Sequence, residues 1–211
     1  MNPMAFYALI VVIGYFCGCL QCGYFIGKLN HIDIREYGSG NAGATNVLRV
    51  LGKFSSLCTF LGDALKGFIP VLILKFIVCP GMPDVNAQFA QLLIGFAAVL
   101  GHDYPFFLKF KGGKGISTSG AVMMAFDWRI GMCALITFII IVALTRYVSL
   151  GSCLLSAGFV IEMWLFHPGR IDLLIMAVLF AWFAIYRHRA NIKRLLNGTE
   201  SKIGQKVEVK K

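Results

Sequence analysis

Apolar residues run in long stretches separated by short polar, glycine-rich or basic segments. A membrane helix needs roughly 20 mostly apolar residues to cross about 30 Å of hydrocarbon. Stretches of about that length lie at about 4–26, 54–78, 87–108, 130–145, 148–166 and 171–186. Residues 115–127 form a shorter one that crosses only if tilted or set in thinned bilayer. The pattern predicts an all-α integral membrane protein with one domain, 1–211, and seven transmembrane helices, the fourth short. The first stretch has no Lys or Arg before it and no small-residue cleavage site after it, so it reads as a retained span. Its Gly14–Gly18 and Gly23–Gly27 spacings favour close helix approach and an interior position.

Composition agrees: 58% of residues are hydrophobic and 14% charged, with a mean hydropathy of +0.74, far from a soluble balance. A net charge of +10 in a soluble chain points to nucleic acid; here the basic residues sit in short loops and the tail, which argues against a nucleic-acid partner. If all seven stretches cross, the 20 Lys and Arg residues fall on one side, except for Lys66, Lys75, Arg129 and Arg170. The positive-inside rule makes that side cytoplasmic, with the N-terminus outside and the C-terminus cytoplasmic. The seven cysteines form no disulfide framework; Cys17, Cys19 and Cys22 cluster but lack the second pair of a metal site. Asp63 and Lys66, three apart in an apolar stretch, share a helical face and are expected to pair structurally.

Three segments carry chemistry. In GSGNAGATNVLR (38–49) glycines let backbone amides approach an anion. A helix starting at Asn41 would align Asn41, Thr45 and Arg49, with Ser39 and Asn41 donating hydrogen bonds and Arg49 gripping a phosphate. An ordinary Gly-rich connection with an interfacial Arg is the equal alternative. In KFKGGKGIST (109–118) glycines beside Lys114 allow an amide nest under a point charge. It is not a Walker A loop, because Leu108 and Gly115 stand where that motif needs Gly and Ser or Thr; Lys109 and Lys111 read as headgroup anchors. In RHRANIKRLLNGTE (187–200) His188 and Asn191 share a face of a helical extension of the last span. Arg187, Arg189, Lys193 and Arg194 read as snorkelling residues, and Glu200 as a structural partner for a nearby cation.

In order and spacing these segments, the second extended to GHDYPFFLKFKGGKGIST, resemble the three cytoplasmic motifs of the bacterial acyl-phosphate:glycerol-3-phosphate acyltransferase (PlsY) family. DALKG (63–67) and TRYVSLGS (145–152) are similar to further family segments; Ile116 and Ser117 stand where the family more often has Val and Ala. The resemblance implies transfer of a fatty acyl group from acyl phosphate to the 1-hydroxyl of glycerol 3-phosphate, giving lysophosphatidic acid and phosphate. It implies a monomer in the bacterial cytoplasmic (inner) membrane, active site facing the cytoplasm. The catalytic set is Ser39, Arg49, Lys114, His188 and Asn191, with phosphate bound by Gly40, Asn41, Gly43, Thr45, Gly112 and Gly113. Ser39, Asn41 and Thr45 bind phosphate and polarise the carbonyl, Arg49 and Lys114 stabilise charge, and His188 and Asn191 hold the acceptor. Ser149, Ser152 and His102 are possible additions, and Asp63, Lys66 and Glu200 are structural. Direct attack is expected, since an acyl phosphate is already activated. The proton goes to His188, His102 or a substrate phosphate oxygen, the last preferred because the matched motifs offer no carboxylate. No metal and no cofactor are expected. Intramembrane charges also mark transporters of organic anions, the competing reading; a lipid-binding scaffold ranks last.

Overall fold

The computed structural model describes residues 2–205. The first stretch is two helices, α1 (Pro3–Cys19) and α2 (Cys22–Leu29). Pro3 and the Asn2 side chain, which accepts from the Met4 amide at 2.9 Å, start α1 as an N-terminal proline and a capping Asn should. The break falls at Leu20–Gln21, where the Gln21 side-chain Nε2 donates to the carbonyls of Gly18 (3.4 Å) and His102 (2.9 Å). A small amphipathic helix, α3 (Ala44–Leu51), precedes α4 (Lys53–Ile73), which contains Pro70 and runs on through a widened turn over Leu74–Val78. Then come α5 (Ala87–Asp103), α6 (Ile116–Phe126), α7 (Trp128–Thr145), α8 (Val148–Phe166), α9 (Ile171–Arg187) and α10 (Arg189–Leu196).

Among the described residues five segments are long and apolar enough to cross a membrane: Pro3–Leu29, Lys53–Gly81, Ala87–Leu108, Trp128–Thr145 and Val148–Phe166. A sixth combines α9 with α10, bent by 61°. The 11-residue α6 is shorter than an ordinary crossing.

Small residues set the packing. Gly14 and Gly18 bring α1 against Ile94, Ala97 and Ala98 of α5, and Gly101 of α5 answers opposite Tyr15. The two helices run parallel, since Tyr7 accepts from the Asn86 amide (3.0 Å) near one end and Tyr15 donates to the Tyr104 carbonyl (2.8 Å) near the other. The expected interior position is corrected: α1 buries one face only, and Leu9, Val12 and Phe16 are exposed. Gly23 faces the Ala42 carbonyl and Thr59 of α4, and Gly27 faces Ile32 and Ile34. Phe159, Phe180, Leu92, Met123 and Met163 fill the centre, while Phe76, Ile139, Trp164, Ile175 and Trp182 stand exposed on the outer faces. Apolar side chains facing outward from an apolar core are what a lipid solvent requires.

The loops sort to two ends. At one, Arg35 reaches the Leu108 carbonyl, Lys114 meets Asn191, and the Ile203 amide donates to the Arg146 carbonyl (2.8 Å). At the other, Asn86 bonds Asp172 (2.8 Å) and His167 bonds Asp127 (3.0 Å).

Candidate active site

The 38–49 segment is organised by Asn46, a residue the sequence reading did not single out. Its side-chain amide donates to the carbonyls of Ile34 and Tyr37 (both 3.0 Å), and its oxygen accepts from the Ser39 amide (2.8 Å). Buried polar groups are kept only when bonded in this way; the burial of Asn46 has no sequence signal beyond a polar residue beside Val47. The helix starts at Ala44 and not at Asn41, because Gly43 is extended (φ −81°, ψ 165°). Asn41 therefore leaves the expected stripe, and its side-chain oxygen accepts from the Gly43 amide (2.8 Å). Thr45 and Arg49 keep their four-residue spacing on α3. Gly40, at φ +71°, is a turn residue whose amide donates to the Tyr37 carbonyl (3.0 Å); it is withdrawn as a phosphate ligand.

The amide nest expected at Gly112 and Gly113 does not form. The Gly112 amide donates to the Asp103 carbonyl (3.1 Å) and the Gly113 amide to the His102 carbonyl (3.0 Å), so the last carbonyls of α5 consume both donors. Gly113 is glycine for space, since a Cβ there would fall on the His102 imidazole. Both residues shape the loop and neither presents an amide to a ligand. What the loop delivers is Lys114, whose amine donates to the Asn191 side-chain oxygen. Burial pushes the Lys114 amine down to about 8, opposed by the nearby Glu200 carboxylate and reinforced by Arg194 and Arg187.

The last segment is not one straight helix: the bend between α9 and α10 puts His188 at the corner. Its Nδ1 lies 2.7 Å from the Ala184 carbonyl, which can only accept; Nδ1 carries the proton, and in the neutral ring Nε2 keeps a free lone pair. Asn191 donates to Glu200 (2.6 Å), which also takes the Arg194 guanidinium (2.6 Å). Burial raises the Glu200 pKa, but these hydrogen bonds outweigh it and hold the group below the usual carboxylate range. Two arginines read as snorkelling do otherwise. Arg194 serves Glu200, and Arg187 is largely buried, bonding the Gly113 carbonyl (2.6 Å), facing Asp103 (3.6 Å) and covering the Tyr104 ring.

Behind the loop lies a buried network. Lys66 donates to Asp63 (2.9 Å), to the Leu20 carbonyl at the α1–α2 break (2.6 Å) and to His102 Nδ1 (2.7 Å). An ammonium donating to Nδ1 occupies that lone pair and leaves the proton on Nε2, so His102 has no site for a substrate proton. It is withdrawn as a candidate base. Gln21, the lone amide in the first apolar run, ties the break to the same residue.

One cavity of about 480 Å³ gathers the pieces. Its polar end is lined by Ser39, Asn41, Gly43, Thr45, Arg49, Lys114, Ser149, Ser152, His188, Asn191 and Glu200, with His102 at its edge. The Ser149 hydroxyl lies beside the Glu200 carboxylate, and Ser152 donates to the Val148 carbonyl (2.8 Å). From there an apolar arm runs between α4, α6, α7 and α8, past Phe60, Leu65, Phe68, Met124, Leu135 and Phe138. Among the described residues no three His, Cys, Asp or Glu side chains are grouped to hold a metal.

A family model described as glycerol-3-phosphate acyltransferase matches residues 8–198. A glycerol-3-phosphate acyltransferase of Thermoanaerobacter pseudethanolicus is 47% identical over 203 residues, covering 96% of this chain and 98% of its own. Relatives of the same name from Clostridioides difficile (96% and 98% covered) and Bacillus subtilis (93% and 97%) are 44% and 42% identical. Two crystal structures of PlsY (YgiH), an integral membrane glycerol 3-phosphate acyltransferase, are similar at 37% identity, covering 94% of this chain and 96% of theirs. The glycerol 3-phosphate form gives a TM-score of 0.85 and the lysophosphatidic acid form 0.81.

Proposed function

This chain belongs to the glycerol-3-phosphate acyltransferase family, and we propose that it moves a fatty acyl group from acyl phosphate to the 1-hydroxyl of glycerol 3-phosphate. It is a multi-pass membrane acyltransferase. The observation that carries the finer reading is a single cavity with a cationic, hydroxyl-rich end and an apolar arm. Such a cavity fits a donor that joins a phosphate to an acyl chain. Arg49 and Lys114 supply two positive charges at the polar end, enough to hold two phosphates side by side.

In the proposed reaction the acceptor hydroxyl attacks the acyl carbonyl carbon, the bond from that carbon to the phosphate oxygen breaks, and the leaving phosphate takes the hydroxyl proton. Products are lysophosphatidic acid and inorganic phosphate. Neutral His188 accepts through Nε2 from the acceptor's other hydroxyl, at C2, and so positions the acceptor while the proton of the attacking hydroxyl stays free for the phosphate. Asn191 fixes Lys114, and the Ser149 hydroxyl with Ser39, Asn41 and Thr45 completes the phosphate and carbonyl contacts. Positioning and charge stabilisation suffice because the leaving group is good.

We read the bundle as seven crossings, with α6 as a short fourth and the cavity opening to the cytoplasm of a bacterial cell. The basic residues gathered at the cavity end support this orientation. A donor panel tests the assignment. Purified protein given glycerol 3-phosphate should form lysophosphatidic acid from acyl phosphate and not from acyl-CoA or acyl carrier protein; turnover with either thioester alone overturns the donor.

A further inference from the structure

A second cavity, of about 470 Å³, lies at the other end of the same helices, lined by Lys75, Gln88, Gln91, Phe126, Asp127, Trp128, Arg129 and His167. The N-terminal end of α6 bears on the catalytic cavity through Lys114 and its C-terminal end on this one, about 16 Å away at 1.5 Å per residue. The likewise opposed placements of Ser149 and His167 at the two ends of α8 separate the two sites.

The hydrogen-bond valences decide what this recess can take. Its only carboxylate, Asp127, is saturated from within: Oδ1 accepts from the Arg129 amide and Nε (both 3.0 Å), and Oδ2 from Arg129 Nη2 (2.6 Å) and His167 (3.0 Å). Donors are left over. Lys75 spends two N–H groups on the carbonyls of Ala125 (3.1 Å) and Phe126 (2.9 Å) and keeps a third. Arg129 keeps Nη1, and Gln88, whose oxygen is taken by Arg170, keeps its NH₂. Gln91 is only 5% exposed, lines the recess and bonds to no described residue. Its amide lines the recess uncommitted and can donate to a ligand there. Two cations with donors to spare and two amides, against one carboxylate already engaged by Arg129 and His167, favour an oxyanion.

We propose that this recess is a second anion site, taking a phosphate group through Lys75, Arg129, Gln88 and Gln91. The group comes from a phospholipid headgroup or from free phosphate. Trp128, 68% exposed, and Arg129, lying 4.7 Å from the Phe166 ring, give the rim the aromatic and cationic character of a membrane interface.

The test uses the full chain in phosphate-free maltoside micelles, with Arg49→Ala and Lys114→Ala included to weaken anion binding in the catalytic cavity. Inorganic phosphate is titrated calorimetrically, and short-chain phosphatidylglycerol is scored by native mass spectrometry. One equivalent of either, weakened at least about tenfold by Gln91→Leu with Arg129→Gln, supports the site; lipid alone marks a headgroup site and phosphate alone a free-anion site. A melting temperature of the empty Gln91→Leu, Arg129→Gln protein well above that of the titration shows that it is folded, which separates lost binding from lost folding. In the otherwise wild-type chain Gln91→Leu should leave acyl transfer unchanged. Absence of saturable binding by both probes, or binding indifferent to the two substitutions, overturns the proposal.

Discussion

Lys114 donates to Asn191 across 77 residues of sequence, joining the loop after α5 to the helix after the last span. Asn191 in turn donates to Glu200, so the cation is held by a neutral amide while the carboxylate stays one residue away. This keeps Lys114 charged toward the cavity without pairing it directly. With the Lys114 amine pushed down to about 8, its charge is lost as pH rises through that value. If the charged form is the active one, kcat/KM should fall above about pH 8. Bound phosphates favour the ammonium, so the limb in kcat should lie higher. Lys114→Arg should abolish the limb, and Lys114→Ala should cost about 10²–10³-fold in rate. A wild-type profile flat well beyond pH 8 contradicts this role.

The pair of Asp63 and Lys66 should reveal itself in stability. Lys66→Met leaves the Asp63 carboxylate buried with no cation, which costs about 3–5 kcal/mol and should appear as a clear drop in melting temperature. Asp63→Leu with Lys66→Met removes both charges and should recover much of the loss. Equal melting of Lys66→Met and wild type rules out the buried pair as a structural element.

Gly120 lines the apolar arm, and a Cβ added there meets nothing within 4 Å. Filling the space should shorten the acyl chain the arm accepts. Gly120→Leu is expected to slow long-chain donors by at least about tenfold while sparing short ones, since each methylene in such a pocket is worth about 1–3 kcal/mol. Rates reduced equally for all chain lengths argue that the chain lies elsewhere.

Gly113→Ala should fail for another reason. Its Cβ would strike the His102 ring, so the loop must shift and carry Lys114 with it. Activity should drop with a fall in melting temperature, and His102→Ala in the same chain should recover part of the activity by making room. No recovery would place the defect outside the His102 contact.

Much of the architecture was legible because lipid imposes a length on apolar runs, and the helix ends of α8 and α9 fall within a residue of the expected stretches. The break at Gln21 was marked by an amide inside an apolar run, yet its acceptor, the His102 carbonyl, lies 81 residues away. Gly112 and Gly113 looked like an anion nest because glycine composition says where amides are accessible and not where they point. The α5 carbonyls that claim them are a tertiary fact. Arg187 looked like a headgroup anchor for the same reason, its partners Asp103 and Gly113 being remote in sequence. Arg49, Lys114, His188 and Asn191 were legible as chemistry, and the fold brings all four to one cavity.

The most direct measurement is transfer itself: purified, folded protein mixed with acyl phosphate and glycerol 3-phosphate, with both products quantified. Lysophosphatidic acid and inorganic phosphate should appear in equal amounts, and both should form at least about 100-fold more slowly with Arg49→Ala or Lys114→Ala chains that melt like wild type. A folded wild-type sample that releases phosphate without lysophosphatidic acid, or yields neither, contradicts the account.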